Sequence, residues 1–315
     1  MVAIPSARLG SLDLHVPRLG FGGAPVGRLT DANEAAAVVE HALDYGIRFL
    51  DTAPLYGAGR SEVHIGRVLA GRPRSEFLIA TKVGRLVNRY GVDVRFDFTH
   101  QGVMQSVEES LSRLQLDSVD LLHIHDPNNH VDIASTEAYR TLDGLRRDGI
   151  IKGVGVGAGL NSWQLAEQLM AHGRFDCFLL AGRYTLLHQD ALGFIDRCRR
   201  EGVGVILAGV YNSGVLATGA REDAQYYYRN APADVLARVR LIETVCEEHT
   251  VSLQAAALQF ALSHPGVSTA VVGAERIEQT ERNIASLSAD IPGEFWQALK
   301  ERGLLDRDAP VGWQL

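Results

Sequence analysis

Short apolar runs and longer amphipathic stretches alternate along the chain from about residue 16 to 288. The runs are RLGFGG (18–23), IRFLD (47–51), FLIATK (77–82), VDLLHIHD (119–126), IKGVGVG (151–157), FDCFLLA (175–181), GVGVILAG (202–209) and VSTAVVGA (267–274). Rich in Val, Ile and Leu and not strictly alternating, they read as strands buried on both faces. Between them lie stretches such as ANEAAAVVEHALDYG, QGVMQSVEESLSRLQL and RIEQTERNIASL, several with apolar residues at i, i+3, i+4 spacing and a closing Gly, which predict helices. Strand–helix alternation means a parallel sheet with right-handed crossovers. Eight such units in 315 residues predict a closed (β/α)8 TIM barrel rather than an open doubly wound sheet. The leading segment ARLGSLDLHVPRLG reads as a small β-hairpin plugging the barrel's N-terminal end. With no linker or low-complexity tract, residues 1–315 read as a single domain.

Composition narrows the partners. Apolar residues are 46% and charged residues 22% of the chain, the balance of a soluble globular protein. A formal charge of −7, with no basic block, argues against nucleic acid. No apolar stretch approaches the roughly 20 residues of a membrane span, and the N-terminus lacks the apolar core of a signal peptide. Cys177, Cys198 and Cys246 form no C-x-x-C and read as reduced thiols of a cytoplasmic protein. Monomer and homodimer both remain open.

The chemistry lies where strands end, because a barrel of this type carries its active site at that face. Asp51, Lys82 and His125 close the second, third and fourth runs, and Tyr56 follows in the loop after Asp51. A free phenol titrates near ~10 and is a poor proton carrier at neutral pH. An adjacent ammonium would favour the phenolate and lower that value, with Asp51 holding the lysine in place. His125 would donate a hydrogen bond to a developing alkoxide.

Here the sequence resembles the aldo-keto reductases over nearly its whole length. GIRFLDTAPLYGAGRSE looks like that family's first signature, SVEESLSRLQLDSVDLLHIHD like its second, and IATK carries its lysine. The resemblance implies an NAD(P)-dependent oxidoreductase whose Asp/Tyr/Lys/His tetrad falls on Asp51, Tyr56, Lys82 and His125, with Tyr56 as general acid/base. HIHDPN, FDCFLLAGRYTLL and GVYNSGVLATG resemble a branch of aldose 1-dehydrogenases and pyridoxal dehydrogenases. That implies hydride transfer between nicotinamide and C1 of an L-fucose- or L-galactose-type sugar, giving a lactone, with pyridoxal or a simpler aldehyde as alternatives. The loops 83–100, 126–133 and 211–230, rich in Arg, Asn and Tyr, suit a polyhydroxylated ligand.

The same resemblance places the cofactor. Gly22 and Asp51 belong to its seat at the strand ends. The Ser–Asn pair that most relatives use for the carboxamide is replaced by Gly157 and Ala158, leaving Asn161 as a substitute. Ala181 stands for the usual Gln, and Ala208 for the aromatic that stacks on nicotinamide, with Tyr211 as a stand-in. The adenosine end falls on Gly273, Glu275, Arg276, Gln279 and Asn283. Gly273 and Gln279 are neutral where NADP-selective relatives carry cations, and Glu275 would repel a 2′-phosphate. Arg276 and Arg282 pull the other way, Arg276 being the nearer in sequence. The balance favours NAD slightly over NADP.

Two rival readings start from the residues. His123 and His125, two apart on a strand, project to the same face, as in a metal-dependent TIM-barrel hydrolase. The other strand ends supply Lys82, Gly157, Ala181 and Ala208 instead of further ligands, so no metal is expected and His123 reads as a packed interior residue. GVGVGAG (153–159) superficially resembles a dinucleotide fingerprint, but its third glycine is misplaced. A non-catalytic barrel that only senses nicotinamide would not need an intact tetrad.

Overall fold

All eight apolar runs form strands, and the strands close on one another. The barrel strands are β1 (Leu19–Gly22), β2 (Phe49–Asp51), β3 (Leu78–Val83), β4 (Leu121–His125), β5 (Gly153–Ala158), β6 (Cys177–Ala181), β7 (Gly204–Ala208) and β8 (Val267–Gly273). Each pairs in parallel with its neighbours in chain order, and β8 returns to β1 through Ala270–Leu19 and Gly273–Gly22, so the sheet has no edge. The computed structural model describes residues 4–87, 94–158 and 163–313.

Alternation along each strand separates two compartments. Ile79 and Val83 of β3, Leu122 and Ile124 of β4, and Phe178 and Leu180 of β6 face the outer helices in one continuous apolar layer. Their alternates Ala80, Leu121, Cys177 and Leu179 fill the barrel interior with Phe49, Ile206 and Val271. The N-terminal hairpin, Ser6–Arg8 against His15–Pro17, brings Leu9, Leu14 and Val16 into that interior cluster. Burying such side chains contributes about 1.5–3 kcal/mol each, so the predicted plug is part of the core.

The glycines of GVGVGAG have a packing role. Gly153, Gly155 and Gly157 alternate with Val154, Val156 and Ala158, and the valines face the helices. A Cβ on Gly155 would lie 2.4 Å from His123 Nδ1 and 2.8 Å from Cys177 Sγ. One on Gly157 would lie 3.3 Å from Lys82 Cε. The stripe is bare so that His123 and Lys82 can occupy the interior.

Outside, helices such as Ala32–Asp44 and His100–Leu114 begin at Asp31 and Thr99, whose side chains accept from the first free backbone amides. The alternating pattern did not predict the helix Leu253–Ser263. It is apolar nearly all round and buried from Ala255 to Leu262, so it carries no amphipathic period. Among the described residues, no helix is long and apolar enough to cross a membrane.

Candidate active site

Lys82 reaches the C-terminal mouth of the barrel from β3, 1% exposed, and is held on three sides. Its Nζ donates to Asp51 Oδ1 at 2.9 Å, Asp51 Oδ2 at 2.7 Å and the Thr52 carbonyl at 2.8 Å. Neighbouring side chains fix the strand end that carries it. Thr81 donates to the buried Glu62 carboxylate at 2.6 Å, and Arg113 pairs with the other oxygen of Glu62 at 2.6 Å. Ser61, next to Glu62, bonds Thr52 Oγ1 and the Gly23 carbonyl, tying the turn after β2 to β1. Thus the SE that closes the first signature is scaffold for the acid and the lysine.

Tyr56 comes from that turn. Its amide donates to the Ala53 carbonyl, and its carbonyl accepts from Ser61 N. Gly57 follows at φ +61, where a Cβ would fall 1.9 Å from the Gly27 carbonyl oxygen. The turn therefore lies flush on the β1 loop. Gly57→Ala is expected to destabilise the fold by about 2–3 kcal/mol, from strain and displaced backbone. A denaturant midpoint equal to wild type would contradict that packing.

The four predicted tetrad residues meet. Lys82 Nζ lies 4.7 Å from the centre of the Tyr56 ring, and the His125 ring stands edge-on to it at 6.1 Å and 85°. Burial pulls the Lys82 ammonium down, but Asp51 and Tyr56 outweigh it and hold it above its ordinary value. Burial pushes the Asp51 carboxyl up, against the attraction of Lys82. Tyr56 departs from the sequence expectation. Burial raises its phenol to about 12, and the opposing Lys82 charge offsets only part of that. At neutral pH the phenol is therefore protonated. His125 is lowered well below the usual imidazole range by burial and by the charges of Lys82 and Arg85, so it is neutral. Its Nδ1 is buried without a partner among the described residues, which leaves Nε2 for a ligand.

His123 shares the inward face with His125, as their spacing predicts, and is fully buried with its imidazole lowered to about 3. Lys82 stands opposite it as its strand partner, a cation where a metal site would need a ligand. Among the described residues, no group of three or more His, Cys, Asp or Glu is arranged to hold a metal ion.

The tetrad opens into a cavity of about 1160 Å³. That exceeds the roughly 300–1,000 Å³ of ordinary small-molecule pockets, leaving room for two ligands side by side. Gly22, Asp51, Tyr211, Gly273, Glu275, Gln279 and Asn283 line it. Their side chains are partly committed to each other. Tyr211 Oη donates to Asn283 Oδ1 at 3.1 Å, which also accepts from Gln254 at 2.9 Å. Gln279 Oε1 caps the start of its own helix by accepting from Glu275 N at 2.7 Å and Arg276 N. Arg276 is the extended N-cap of the helix Ile277–Ser288, and the described cavity wall carries Arg282 rather than Arg276. Asn161 lies outside the described residues.

Sequence reasoning overlooked Arg28 and did not single out Arg85, Asp126 and Asn212 within the loops it assigned to the site; all four are on the wall. Arg28 pairs with Glu275 at 3.4 Å and stacks on Tyr228, which belongs to the segment after β7. Asn212 is 1% exposed and its Oδ1 has no partner among the described residues. A short polar residue in a Tyr-Asn-Ser-Gly turn after β7 was the available signal.

Comparison with known proteins agrees with this geometry. The sequence model of the Aldo/keto reductase family matches residues 18–303. The chain is 38% identical over 316 residues to a D-threo-aldose 1-dehydrogenase of a Pseudomonas species, covering 93% of this chain and 95% of that protein. It is 36% identical over 334 residues to a pyridoxal 4-dehydrogenase of Microbacterium luteolum, covering 94% and 97%. The holo form of an aldo-keto reductase from Bacillus halodurans superposes with a TM-score of 0.83 at 26% identity, covering 99% of each chain.

Proposed function

The chain belongs to the aldo/keto reductase family of NAD(P)-dependent oxidoreductases, and on that premise we propose that it oxidises an aldopyranose at C1 to the lactone. The observation that carries this reading is the convergence of Asp51, Tyr56, Lys82 and His125 on a cavity with a polar outer wall of Arg85, Asp126, Arg221, Tyr227 and Tyr228. An aldose presents hydroxyls that such a wall can bond.

The residues present suit a nicotinamide dinucleotide. Asn212 Oδ1 is a buried acceptor in need of a donor, which a carboxamide would supply. Arg28 and Arg282 line the cavity as partners for phosphates. Gly22 and Gly273 keep the adjoining ends of β1 and β8 without side chains. When bound, the oxidised nicotinamide ring supplies the acceptor for the hydride that leaves C1.

The chain moves the proton. Tyr56 Oη, as phenolate, takes the proton of the C1 hydroxyl while the C1–O bond becomes the lactone carbonyl. Lys82 stabilises the phenolate, Asp51 holds Lys82, and His125 Nε2 donates to the C1 oxygen. Because the phenol is raised to about 12, the oxidation rate should climb with pH across the alkaline range. A panel of aldoses, pyridoxal and simple aldehydes with both cofactors tests the substrate. Fast turnover of pyridoxal with none of any aldose would refute the reading.

For the cofactor, NAD⁺ is expected to serve at least as well as NADP⁺. Gly273 is neutral, Gln279 is occupied in capping, and Glu275 places a carboxylate on the wall. Arg28 is partly offset by Glu275, which leaves Arg282 as the main opposing charge. A kcat/KM preference for NADP⁺ above about tenfold, roughly 1.4 kcal/mol, would show that Arg28 or Arg282 grips the 2′-phosphate. We also place the enzyme in the cytoplasm, since its free cysteines Cys177, Cys198 and Cys246 are all buried thiols suited to a reducing compartment.

A further inference from the structure

Arg85 and Asp126 stand side by side two residues beyond Val83 and Ile124, which are partners across β3 and β4. Arg85 Nη2 lies 3.2 Å from Asp126 Oδ2 and 3.5 Å from the Asp126 carbonyl oxygen. The guanidinium also stacks on Phe96, 5.1 Å from the ring centre. Asp126 adopts φ +38, a left-handed conformation that Asp tolerates better than most side chains. Its amide donates to the Gly157 carbonyl at 2.9 Å, which fixes it to β5. Both side chains are largely buried, and both line the cavity.

Asp126 does not orient His125. Its Oδ2 stands 3.8 Å from His125 Nε2, beyond hydrogen-bonding distance. The result is a donor and an acceptor placed next to each other and facing one cavity.

We infer that Asp126, held by Arg85, is a specificity-determining residue that accepts a hydrogen bond from the hydroxyl on the carbon next to the one oxidised. This rests on the reading of an aldose oxidised at C1. Oxygens on neighbouring carbons lie side by side, matching the His125 donor and the Asp126 acceptor. The Arg85 charge is offset by Asp126, so the pair recognises a neutral hydroxyl rather than an ionised substrate carboxylate. A site built to bond a hydroxyl discriminates strongly against the analogue that lacks it.

The test measures kcat/KM for L-fucose and for 2-deoxy-L-fucose in wild type, Asp126→Ala and Asp126→Asn. The preference for L-fucose over its deoxy analogue should fall about tenfold or more in Asp126→Ala, with an intermediate fall in Asp126→Asn, which keeps the shape and a neutral acceptor. Should the alanine variant fail to fold, the asparagine variant decides. Wild-type turnover of L-fucose with a preference that shifts less than about twofold in the folded variants overturns this inference alone. Wild-type protein that oxidises neither sugar while reducing simple aldehydes overturns the aldose reading, and this inference with it.

Discussion

Tyr56→Phe should lower kcat by about 10²–10⁴-fold while leaving cofactor affinity nearly unchanged. The substitution removes one oxygen and keeps the ring against which Lys82 and His125 are set, at 4.7 Å and 6.1 Å. In the proposed mechanism the lost atom is the one that carries the proton between substrate and protein. Wall residues away from the phenol, among them Gly273, Glu275 and Asn283, are left unchanged by the substitution. Steady-state rates in the oxidation direction and a fluorescence titration with the dinucleotide separate the two effects. A variant that keeps most of its turnover would remove Tyr56 from the mechanism. Equal loss of rate and cofactor binding would make its role structural.

Lys82→Met should act on both rate and stability. The ammonium opposes the burial that raises the phenol to about 12. Without it the phenolate becomes scarcer at any given pH. Oxidation should fall at least about 100-fold near pH 8, and the rising limb of its pH profile should move further into the alkaline range. The variant also leaves Asp51 buried without the cation that bonds both of its oxygens. Breaking a buried ion pair by removing one partner typically costs about 3–5 kcal/mol. The sign with pH follows from Lys82, which is held above its ordinary value in the folded state. Its stabilising contribution is fully present below the free-lysine range near ~10.4 and fades as pH rises through the folded value. The stability gap between wild type and variant should therefore be widest below that range and close above it, as chemical denaturation at several pH values would show. A gap that stays constant into strong alkali would mean that the charge contributes little. An unshifted pH–rate profile would separate Lys82 from the phenol.

Much of the site was legible because each barrel strand ends at the same face. A residue that closes an apolar run in this fold is near the mouth whatever its partners are, which is how Asp51, Lys82 and His125 were found. Tyr56 lies beyond the strand and was read from the turn that follows Asp51 and from the chemistry of a phenol beside an ammonium, a reading to which the family signature added. The bare stripe Gly153, Gly155 and Gly157 was visible as a pattern, yet its reason was not. Only the register of β4 against β5 shows that His123 and Lys82 fill the space those glycines leave.

By itself the sequence determined what depends on local periodicity and on residue type. Eight Val-, Ile- and Leu-rich runs became eight parallel strands, and the polar groups closing them became the mouth of a cavity. Tertiary structure decided what depends on distances between segments remote in the chain. Arg276 is closer than Arg282 to the strand end in sequence, but the rotation of a helix whose start is set by its cap brings Arg282 to the wall. The Tyr56 phenol rises rather than falls, because burial by the whole mouth exceeds the attraction of one neighbouring ammonium. Arg85 and Asp126 meet 41 residues apart. Barrel closure sets the register of β3 and β4, and no pattern within either strand encodes it.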